Sequence, residues 1–588
     1  MSAQERLSVA AIAAAVQSGA TSARAVIEDV IARAAAYDPI QPAVWISRDA
    51  PDALRAAADH IDSRIASGEV LPLAGVPFAV KDNIDAAGFA TTAACPAFAY
   101  RPERSAAVVE RLVAAGAIPV GKTNLDQFAT GLNGTRSPYG APRNAYNRDW
   151  ISGGSSSGAA VAVAAGLVAF ALGTDTAGSG RVPAAFNHLY GLKPSRGRWS
   201  SRGLVPACRT LDCISVFAGS AADAAAVDAV VAGYDPDDAF SRALTDVARG
   251  AQRIGVPRRD QRQWFGDLES ARLFDHALAA IPAEIVEIDM TPLAEAARLL
   301  YEGPWLAERA AALAPLLRDD PAAIHPVVRE IVARGREFSA VAAFEGIYRL
   351  AELARATDAI WADVDLMLAP TAPRSYRVTE MLAAPVALNA HLGFYTNFVN
   401  LLDMAALALP AGSYASGLGF GVTLIGPAGS DRALIAAADV LFPAPAPPPS
   451  LDREGKMETV TLAVVGAHLQ DMPLHWQLTS RDARFAGEAR TAPAYRLYAM
   501  ADSVPPKPAL VHAGEESAGT GAIALELYEL DTAAFGSFVA EVPPPLAIGT
   551  VVLEDGRLVK GFVAEPRAID GAEDITELGG WRAYMQRR

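Results

Sequence analysis

Two clusters of serine and glycine, GGSSSG at 153–158 and TAGSG at 176–180, lie on either side of one apolar run. A serine hydroxyl becomes a nucleophile when a neighbouring base takes its proton. Glycine-rich turns also allow backbone N–H groups to point into a site, where they can stabilise an oxyanion. Two such turns around one buried segment can bring two serines face to face, and they therefore indicate acyl-transfer chemistry.

The first cluster by itself leaves three interpretations open. It could be a surface linker, but the run AAVAVAAGLVAFALG at 159–173 is too apolar to lie in water. It could be a phosphate-binding loop, but that motif ends in a lysine that is absent from this stretch. It also matches the G-x-S-x-G elbow with Ser156 as the nucleophile. The elbow needs an acid and a histidine downstream, and the sequence singles out no such pair.

The general base has two candidates. His188 follows the second cluster, although a single histidine is more often structural. Lys81 ends the apolar run PFAVK at 77–81, where the alternative is a lysine at a solvated strand end. Residue types alone leave both open.

Strand-like runs alternate with helical segments over roughly the first 440 residues. Residues 5–70 are alanine-rich with charges at helical spacing, and they predict helices. The runs that predict strands leading into loops are 73–85, 117–131, 167–186, 364–373 and 419–429. This alternation predicts an α/β architecture around a largely parallel or mixed sheet.

A proline-rich stretch, LFPAPAPPPSLDREGKME at 441–458, predicts an exposed linker. Beyond it, AYRLYAM, IALELYEL and GTVVLEDGRLVKGFVA predict short strands, the last of them a hairpin that turns at EDGR. We therefore expect a large domain at 1–440, the linker at 441–458, and a smaller α+β domain at 459–588.

The composition argues against several classes of protein. The 588 residues carry a net charge of −15, which disfavours a nucleic-acid surface. The three cysteines, Cys95, Cys208 and Cys213, form neither a disulfide framework nor a zinc pattern, and we expect no metal and no other cofactor. The N-terminus is typical of an amphipathic helix rather than a signal peptide, and no run is typical of a membrane span. We expect a cytoplasmic protein that binds neither nucleic acid nor membranes.

In their longer context the clusters resemble the signature of a known family. GGSSSG followed by GTDTAGSGRVPAAFNHLYGLKPSRG is similar to the central motif of the amidase signature family. GVPFAVKDNID resembles its upstream lysine motif, and GKTNLDQFATGLNGTRSPYGAPRNAYN resembles the segment between them. The resemblance covers about 60–440 and implies the amidase-signature fold, an α/β protein with a central mixed β-sheet flanked by helices.

The resemblance implies a Ser–Ser–Lys triad. Ser179 matches the nucleophile, Ser155 matches the bridging serine that follows a cis peptide bond, and Lys81 matches the base. Ser156 is then not the nucleophile. Burial lowers the pKa of a lysine, so a neutral Lys81 could take a proton from Ser155 while Ser155 takes one from Ser179.

Other residues of the same motifs have expected roles around this triad. Backbone N–H groups of the turn Thr176-Ala177-Gly178-Ser179 would hold the oxyanion. Asp175 is expected to hold that turn, and Arg181 could be structural or could meet an anionic substrate. The positions expected to bind substrate or to form the pocket wall are Gly131, Gly154, Thr130 and Ser137–Tyr139.

Two further features resemble the allophanate hydrolase branch of the family. Ala177 and Gly180 stand where many relatives have glycine and isoleucine, and LAVVGAHLQDMPLHWQL at 462–478 resembles the extra C-terminal domain of that branch. The implied substrate is allophanate, a urea that carries one carboxylate. Tyr301 and Arg309 match the substrate-binding pair, and on a continuous helix their spacing would put them on nearly the same face. Without the resemblance they would be interpreted as a core tyrosine and a surface arginine.

The implied reaction is hydrolysis of the terminal amide. Ammonia leaves, and water releases N-carboxycarbamate, which decarboxylates to carbon dioxide and a second ammonia. A biuret or carboxybiuret hydrolase and a partner-dependent amidotransferase-type subunit stay open as alternatives. We expect a homodimer, and we expect any urea carboxylase or cyanuric-acid-pathway enzyme to be a separate protein.

The C-terminal domain resembles γ-glutamyl cyclotransferase-like domains. VVGAHL lies where such domains carry a substrate loop, which makes His468 the candidate functional residue and His475 the weaker choice. Glu526 could be an acid/base or the polar face of a strand. The resemblance links this domain to decarboxylation of N-carboxycarbamate, and the alternative is a packing or oligomerisation module.

Overall fold

The computed structural model describes residues 7–442, 459–481, 483–501, 503–514 and 520–587. The chain forms two compact units, Met1–Ala444 and Pro445–Arg588. The predicted linker at 441–458 lies outside the described residues from 443 onward. The predicted limits of the two domains therefore stay a prediction.

A mixed sheet forms the centre of the first unit, with eleven strands within residues 7–442. In chain order the strands are β1 (Trp45–Arg48), β2 (Pro77–Lys81), β3 (Ile118–Thr123), β4 (Phe170–Asp175), β5 (Tyr190–Lys193), β6 (Cys213–Ala218), β7 (Arg253–Pro257), β8 (Glu284–Ile288), β9 (Leu366–Pro370), β10 (Met404–Ser413) and β11 (Gly419–Pro427). Their order across the sheet is β1-β3-β2-β4-β6-β5-β10-β11-β9-β7-β8. β2 is parallel to β3 and β4, β7 is parallel to β8 and β9, and the other neighbours are antiparallel.

Helices flank this sheet, which confirms the predicted α/β fold. They are α1 (Val9–Gln17), α2 (Ala23–Tyr37), α3 (Pro51–Ala66), α4 (Ala107–Ala114), α5 (Ser157–Ala164), α6 (Val182–Phe186), α7 (Ala221–Val231), α8 (Leu268–Ala280), α9 (Thr291–Glu302), α10 (Trp305–Ala312), α11 (Ala314–Asp319), α12 (Pro326–Ala333), α13 (Ala340–Asp358), α14 (Ile360–Asp363), α15 (Val378–Ala383), α16 (Ala387–Leu392), α17 (Asn397–Leu401) and α18 (Asp431–Leu441). The predicted helical region at 5–70 contains α1 to α3, and it also contains β1, which the sequence did not predict.

The segment after the first serine cluster is a buried helix, so the linker interpretation is wrong. Every residue of α5 is buried. At Gly158 an added Cβ would lie 2.3 Å from the carbonyl oxygen of Val44 and 2.7 Å from the backbone nitrogen of Asn124. Small residues are needed here because the start of α5 packs directly against neighbouring backbone.

Two adjacent parallel strands bring the predicted catalytic segments to one edge of the sheet. β2 ends at Lys81 and β4 ends at Asp175. Phe78 pairs with Phe170 in register, and their rings stack with centroids 5.1 Å apart. The lysine motif and the second serine cluster therefore follow neighbouring strand ends, and α5 packs on β4 with the first serine cluster at its start.

Tyr301 and Arg309 do not lie on one continuous helix, because the chain breaks between α9 and α10. Gly303 has an extended backbone, with ψ at −172°. Pro304 follows it, and proline disfavours helical geometry in the residue before it. An added Cβ at Gly303 would also lie 2.5 Å from the carbonyl oxygen of Leu299.

The second unit has the predicted α+β character. Its strands are β12 (Thr459–Val464), β13 (Arg484–Arg490), β14 (Tyr495–Ala499), β15 (Pro508–His512), β16 (Ala524–Asp531), β17 (Leu546–Val552), β18 (Leu558–Ala564) and β19 (Glu573–Asp574). Its helices are α19 (Trp476–Thr479), α20 (Thr532–Ala540) and α21 (Trp581–Arg587). Among the residues described, five strands form a sheet in the order β13-β16-β12-β18-β17, and β15-β14-β19 form a smaller one. The predicted hairpin is confirmed as β17 and β18.

Across the described ranges, the helices are too short or too polar for any of them to cross a membrane. The three cysteines are buried free thiols.

Candidate active site

Lys81 is fully buried at the end of β2, with no exposed side-chain surface. Its Nζ donates to Ser155 Oγ at 2.7 Å and to Thr174 Oγ1 at 2.6 Å. Burial lowers the pKa of Lys81 to about 7 although three carboxylates in its surroundings oppose the shift. Near neutral pH a large share of the molecules therefore carries an uncharged amine that can accept a proton.

Ser155 follows a cis peptide bond at Gly154, as the family resemblance predicts. Its carbonyl oxygen accepts from the backbone N–H of Asp126 at 3.0 Å. An added Cβ at Gly154 would lie 2.3 Å from Asp126 Oδ2. The turn therefore requires glycine before Ser155, since Asp126 packs directly against it.

Ser156 lies just before α5, and its hydroxyl binds the backbone of β4 rather than facing a substrate. Its hydroxyl donates to the carbonyl oxygen of Thr174 at 3.1 Å and accepts from the N–H of Thr174 at 3.2 Å. His188, the other candidate base, contacts the carbonyl oxygen of Gly417 and the ring of Tyr146. These contacts support neither the elbow with Ser156 nor a histidine base.

Ser179 is 2% exposed, and its hydroxyl donates to the carbonyl oxygen of Gly131 at 3.4 Å. Within the described part of the chain, Ser179 and Ser155 do not form a hydrogen bond. The structure therefore contains the Lys81–Ser155 contact, and it holds the hydroxyl of Ser179 against Gly131 instead.

A buried ion pair shapes the turn that carries Ser179. Asp175 accepts from the backbone N–H groups of Gly178 at 2.8 Å and Gly180 at 3.1 Å, and from Arg181 at 2.8 Å through two nitrogens. Burial by itself would raise the pKa of Asp175, but Arg181 and the N–H donors outweigh it and hold that pKa below its usual range. Asp175 holds the turn as expected, and Arg181 is occupied by this carboxylate.

The contact with Asp175 corrects the predicted oxyanion hole at Gly178. Its N–H group points to a carboxylate and is not available to an oxyanion. The N–H groups of Thr176, Ala177 and Ser179 donate to no protein acceptor among the described residues. They are the groups of this turn that remain available.

Two carboxylates that the sequence did not single out support these turns. Asp126 accepts from the backbone N–H groups of Asn133, Gly134 and Arg136 and so shapes the loop 126–136. Asp212 accepts from the hydroxyl of Thr176, and burial raises the pKa of Asp212 to about 6. The sequence gives no signal for Asp126 or Asp212, because neither lies in a repeated or charged pattern.

Tyr301 and Arg309 meet despite the helix break between them. Arg309 is 1% exposed, and its Nη2 lies 3.4 Å from Tyr301 Oη, with the guanidinium 5.2 Å from the ring centre. Its Nη1 donates to Thr130 Oγ1 at 3.2 Å. No described carboxylate forms an ion pair with Arg309, and its Nε has no partner. Thr130 precedes Gly131, so this cation lies one residue from the carbonyl that contacts Ser179.

The remaining predicted wall residues brace the neighbouring loop. Ser137 Oγ donates to Asn124 Oδ1 at 2.6 Å and accepts from the N–H of Tyr139 at 3.2 Å. Neither contact reaches Lys81 or Ser179.

In the second unit, His468 is held between aromatic rings. Its Nε2 lies 2.8 Å from Gln477 Oε1, and its ring stacks on Phe562 at 4.9 Å and meets Phe538 edge-on. Burial lowers the pKa of His468, although Gln477 opposes this. Burial therefore favours the neutral form of this imidazole.

A separate polar cluster surrounds Glu526, which is 3% exposed. It accepts from Arg582 at 2.6 Å, from the N–H of Gln470 at 2.9 Å and from Tyr528 Oη at 3.0 Å. Tyr528 Oη also lies 3.1 Å from Nε2 of His475. The structure thus connects Glu526 and His475 through a tyrosine, and His468 has other partners.

Two family profiles match the chain. The profile described as Amidase matches residues 25–435, and the profile described as Allophanate hydrolase C-terminal domain matches residues 460–586.

Among curated relatives, the urea amidolyase of Saccharomyces cerevisiae is 42% identical over 572 residues, which cover 92% of this chain and 31% of that protein. The chain thus spans about a third of the length of that relative. The urea amidolyase of Lachancea kluyveri is 43% identical over 550 residues, which cover 88% of this chain and 30% of that protein.

Among solved structures, the allophanate hydrolase of Kluyveromyces lactis matches with a TM-score of 0.66 and 41% identity, over 93% of this chain and 94% of that one. The chain therefore belongs to the amidase family, and its second unit is an allophanate hydrolase C-terminal domain.

Proposed function

We propose that this amidohydrolase converts allophanate, urea-1-carboxylate, to ammonia and N-carboxycarbamate. The observation that carries the proposal is the buried guanidinium of Arg309, which has no carboxylate partner among the described residues. An anion whose carboxylate binds Arg309 and Tyr301 would have its amide near Gly131 and Ser179. The similarity to an allophanate hydrolase and to a urea amidolyase over nearly the whole chain supports this substrate.

In the proposed mechanism Lys81 is the base, Ser155 the relay and Ser179 the nucleophile. Neutral Lys81 takes the proton of Ser155 while Ser155 takes the proton of Ser179, and Ser179 Oγ bonds to the amide carbon. The hydroxyl of Ser179 must first turn from Gly131 to Ser155. A substrate amide N–H that donates to the carbonyl oxygen of Gly131 would release it, so that binding prepares the nucleophile.

The oxygen of the attacked carbonyl becomes negative and accepts from the N–H groups of Thr176, Ala177 and Ser179. The relay then returns a proton to the leaving nitrogen, so ammonia departs. Water attacks the acyl-enzyme by the same route and releases N-carboxycarbamate. Overall, allophanate and water give one ammonium ion and one N-carboxycarbamate dianion, which has two carboxylates.

We also propose that the second unit promotes loss of carbon dioxide from N-carboxycarbamate. Breaking the C–N bond requires a proton on nitrogen. The chain of Glu526, Tyr528 and His475 would supply it, or His468 would do so once the dianionic N-carboxycarbamate favours its protonated form. A packing or oligomerisation role is the alternative.

The direct test is ammonia release from allophanate by the purified chain. We expect two ammonia molecules per allophanate, no turnover in Ser179→Ala, and a raised KM in Arg309→Ala. Malonamate and biuret, supplied in parallel, distinguish an allophanate hydrolase from a biuret hydrolase, because biuret lacks the carboxylate. Turnover by the purified chain without any other protein would exclude a partner-dependent amidotransferase, and retained activity in Ser179→Ala would contradict the triad.

We also propose a cytoplasmic location, a homodimer, and a urea carboxylase or cyanuric-acid-pathway enzyme as the source of allophanate. Sedimentation equilibrium of the purified chain tests the dimer, and a monomer mass at micromolar concentration would contradict it.

A further inference from the structure

A second buried arginine, Arg136, binds the same threonine as Arg309. Arg136 is 2% exposed, and its Nη1 donates to the carbonyl oxygen of Thr130 at 2.9 Å. Arg309 donates to the hydroxyl of Thr130 at 3.2 Å. Thr130 thus accepts a hydrogen bond from each of two buried guanidinium groups. The next residue, Gly131, is the one that Ser179 contacts.

Neither of these two cations has a carboxylate partner within the described ranges. The other donor of Arg136, Nη2, binds the carbonyl oxygen of Pro385 at 2.6 Å, and Nε of both arginines is without a partner. Arg181 is equally buried, but its charge is matched by Asp175. Buried charges in proteins are usually paired.

The two guanidinium groups also repel each other. Burial holds the pKa of Arg136 below its usual value, Asp126 and Tyr301 oppose that effect, and the neighbouring Arg309 adds to it. The carboxylate of Asp126 is already used by backbone N–H groups. Burial by itself would lower the pKa of Arg309, but Asp212 and Glu308 are among the groups that outweigh this effect from a distance. No carboxylate among the described residues forms an ion pair with Arg136 or Arg309, and a ligand carboxylate can supply that contact.

The proposed reaction builds up negative charge. Allophanate carries one negative charge, and the tetrahedral intermediate carries a second on its oxygen. The product N-carboxycarbamate carries two carboxylates, while the released ammonium takes up the positive charge. Two cations therefore match the charge of the tetrahedral intermediate and of the product better than one cation does.

We propose that Arg136 is a positioning residue that selects anionic amides. It holds Thr130, Thr130 holds Arg309, and its charge adds to that of Arg309 in favouring substrate carboxylates and the dianionic states that follow. This inference rests on the proposed function, since it concerns the same site and substrate class.

The test compares two amides of one skeleton, the anion malonamate and the neutral malonamide, at constant ionic strength. We expect Arg136→Gln to lower kcat/KM for malonamate on the order of tenfold more than for malonamide, through a lower kcat and a higher KM. Arg136→Lys keeps the charge, so the preference for malonamate should be largely restored. Arg355→Gln, on the exposed surface of α13, is the matched control and should leave both substrates unchanged.

An equal loss for both amides in Arg136→Gln, with no recovery of preference in Arg136→Lys, would show that Arg136 only braces the loop. That result overturns the proposal.

Thermal stabilisation of the wild-type chain provides a measurement that needs no variant. Malonate has the shape of N-carboxycarbamate with a methylene group in place of N–H. We expect it to stabilise the protein more than malonamate, and malonamate more than malonamide. Equal effects would overturn the charge selection. If the order holds but allophanate is not hydrolysed, the proposed function fails and the anion selection stands.

Discussion

The activity of this enzyme should depend on one deprotonation near pH 7. Lys81 must be neutral to act as the base, and burial lowers its pKa from 10.5 to about 7. At pH 7 a lysine with its ordinary pKa is neutral in only about 0.03% of molecules, whereas a pKa near 7 makes about half of them neutral. Burial therefore increases the reactive form about a thousandfold.

The assay is ammonia release from allophanate between pH 5.5 and 9. We expect kcat/KM to rise about tenfold for each pH unit below about 7 and to level off above it, because kcat/KM reports the free enzyme. In a plot of kcat against pH, the rising part (the limb of the profile) should lie at a higher pH, since a bound anion favours the charged form of the lysine. Lys81→Arg keeps a cation that cannot lose its proton, so it should lose about a thousandfold or more of the activity and show no limb. Ser156→Ala, next to the relay, should keep the limb of the wild type.

A second readout follows from the same pKa. Between about pH 7 and 10.5 the unfolded chain binds a proton at Lys81 that the folded chain does not, so the free energy of unfolding should rise with pH over this window. Lys81→Met should remove that slope while leaving the fold intact. An activity limb near pH 10, or activity that increases as the pH falls below 7, would refute the reasoning.

Two further substitutions test the support around the site, and a third tests the second unit. Gly154→Ala brings a Cβ within 2.3 Å of Asp126 Oδ2, so we expect a loss of activity and about 1–3 kcal/mol of stability in urea denaturation; full activity would contradict the close packing. Asp175→Asn leaves the buried Arg181 without its counter-charge and should cost about 3–5 kcal/mol, whereas a loss below about 1 kcal/mol would show that the pair does not hold the turn. Glu526→Gln should leave the first ammonia unchanged and slow the release of carbon dioxide; an unchanged ratio of the two products would favour a packing role for the second unit.

The sequence predicts where the candidate catalytic segments lie, because each one is local. Lys81 ends a short apolar run, and the serine clusters begin and end one buried segment, so motif and strand pattern together indicate where these residues lie. The fold class follows from the same alternation. The cis bond before Ser155 was predictable only from the family resemblance, because no residue type by itself requires it.

The contacts that the sequence did not predict are those between distant segments. Nothing in the local pattern indicates that Asp175 takes the N–H of Gly178, which removes that group from the oxyanion hole. Tyr301 and Arg309 would share a face only on a continuous helix, yet the two residues meet although the helix is broken between them. Arg136 was not singled out, because a basic residue in a polar loop is usually solvated.

One loop contacts the proposed nucleophile, Ser179, and both buried arginines, Arg136 and Arg309. In the loop 126–136, the carboxylate of Asp126 takes three backbone N–H groups, and its own N–H supports the bridging serine. The same loop supplies both oxygens of Thr130 to the two guanidinium groups and the carbonyl of Gly131 to the nucleophile. A disturbance of this loop must therefore move Arg309 and Ser179 together and change both KM and kcat. Removing the side chain of Arg309 leaves the loop in place and should act mainly on KM. These two kinetic patterns therefore distinguish the role of Arg309 from that of the loop that positions it.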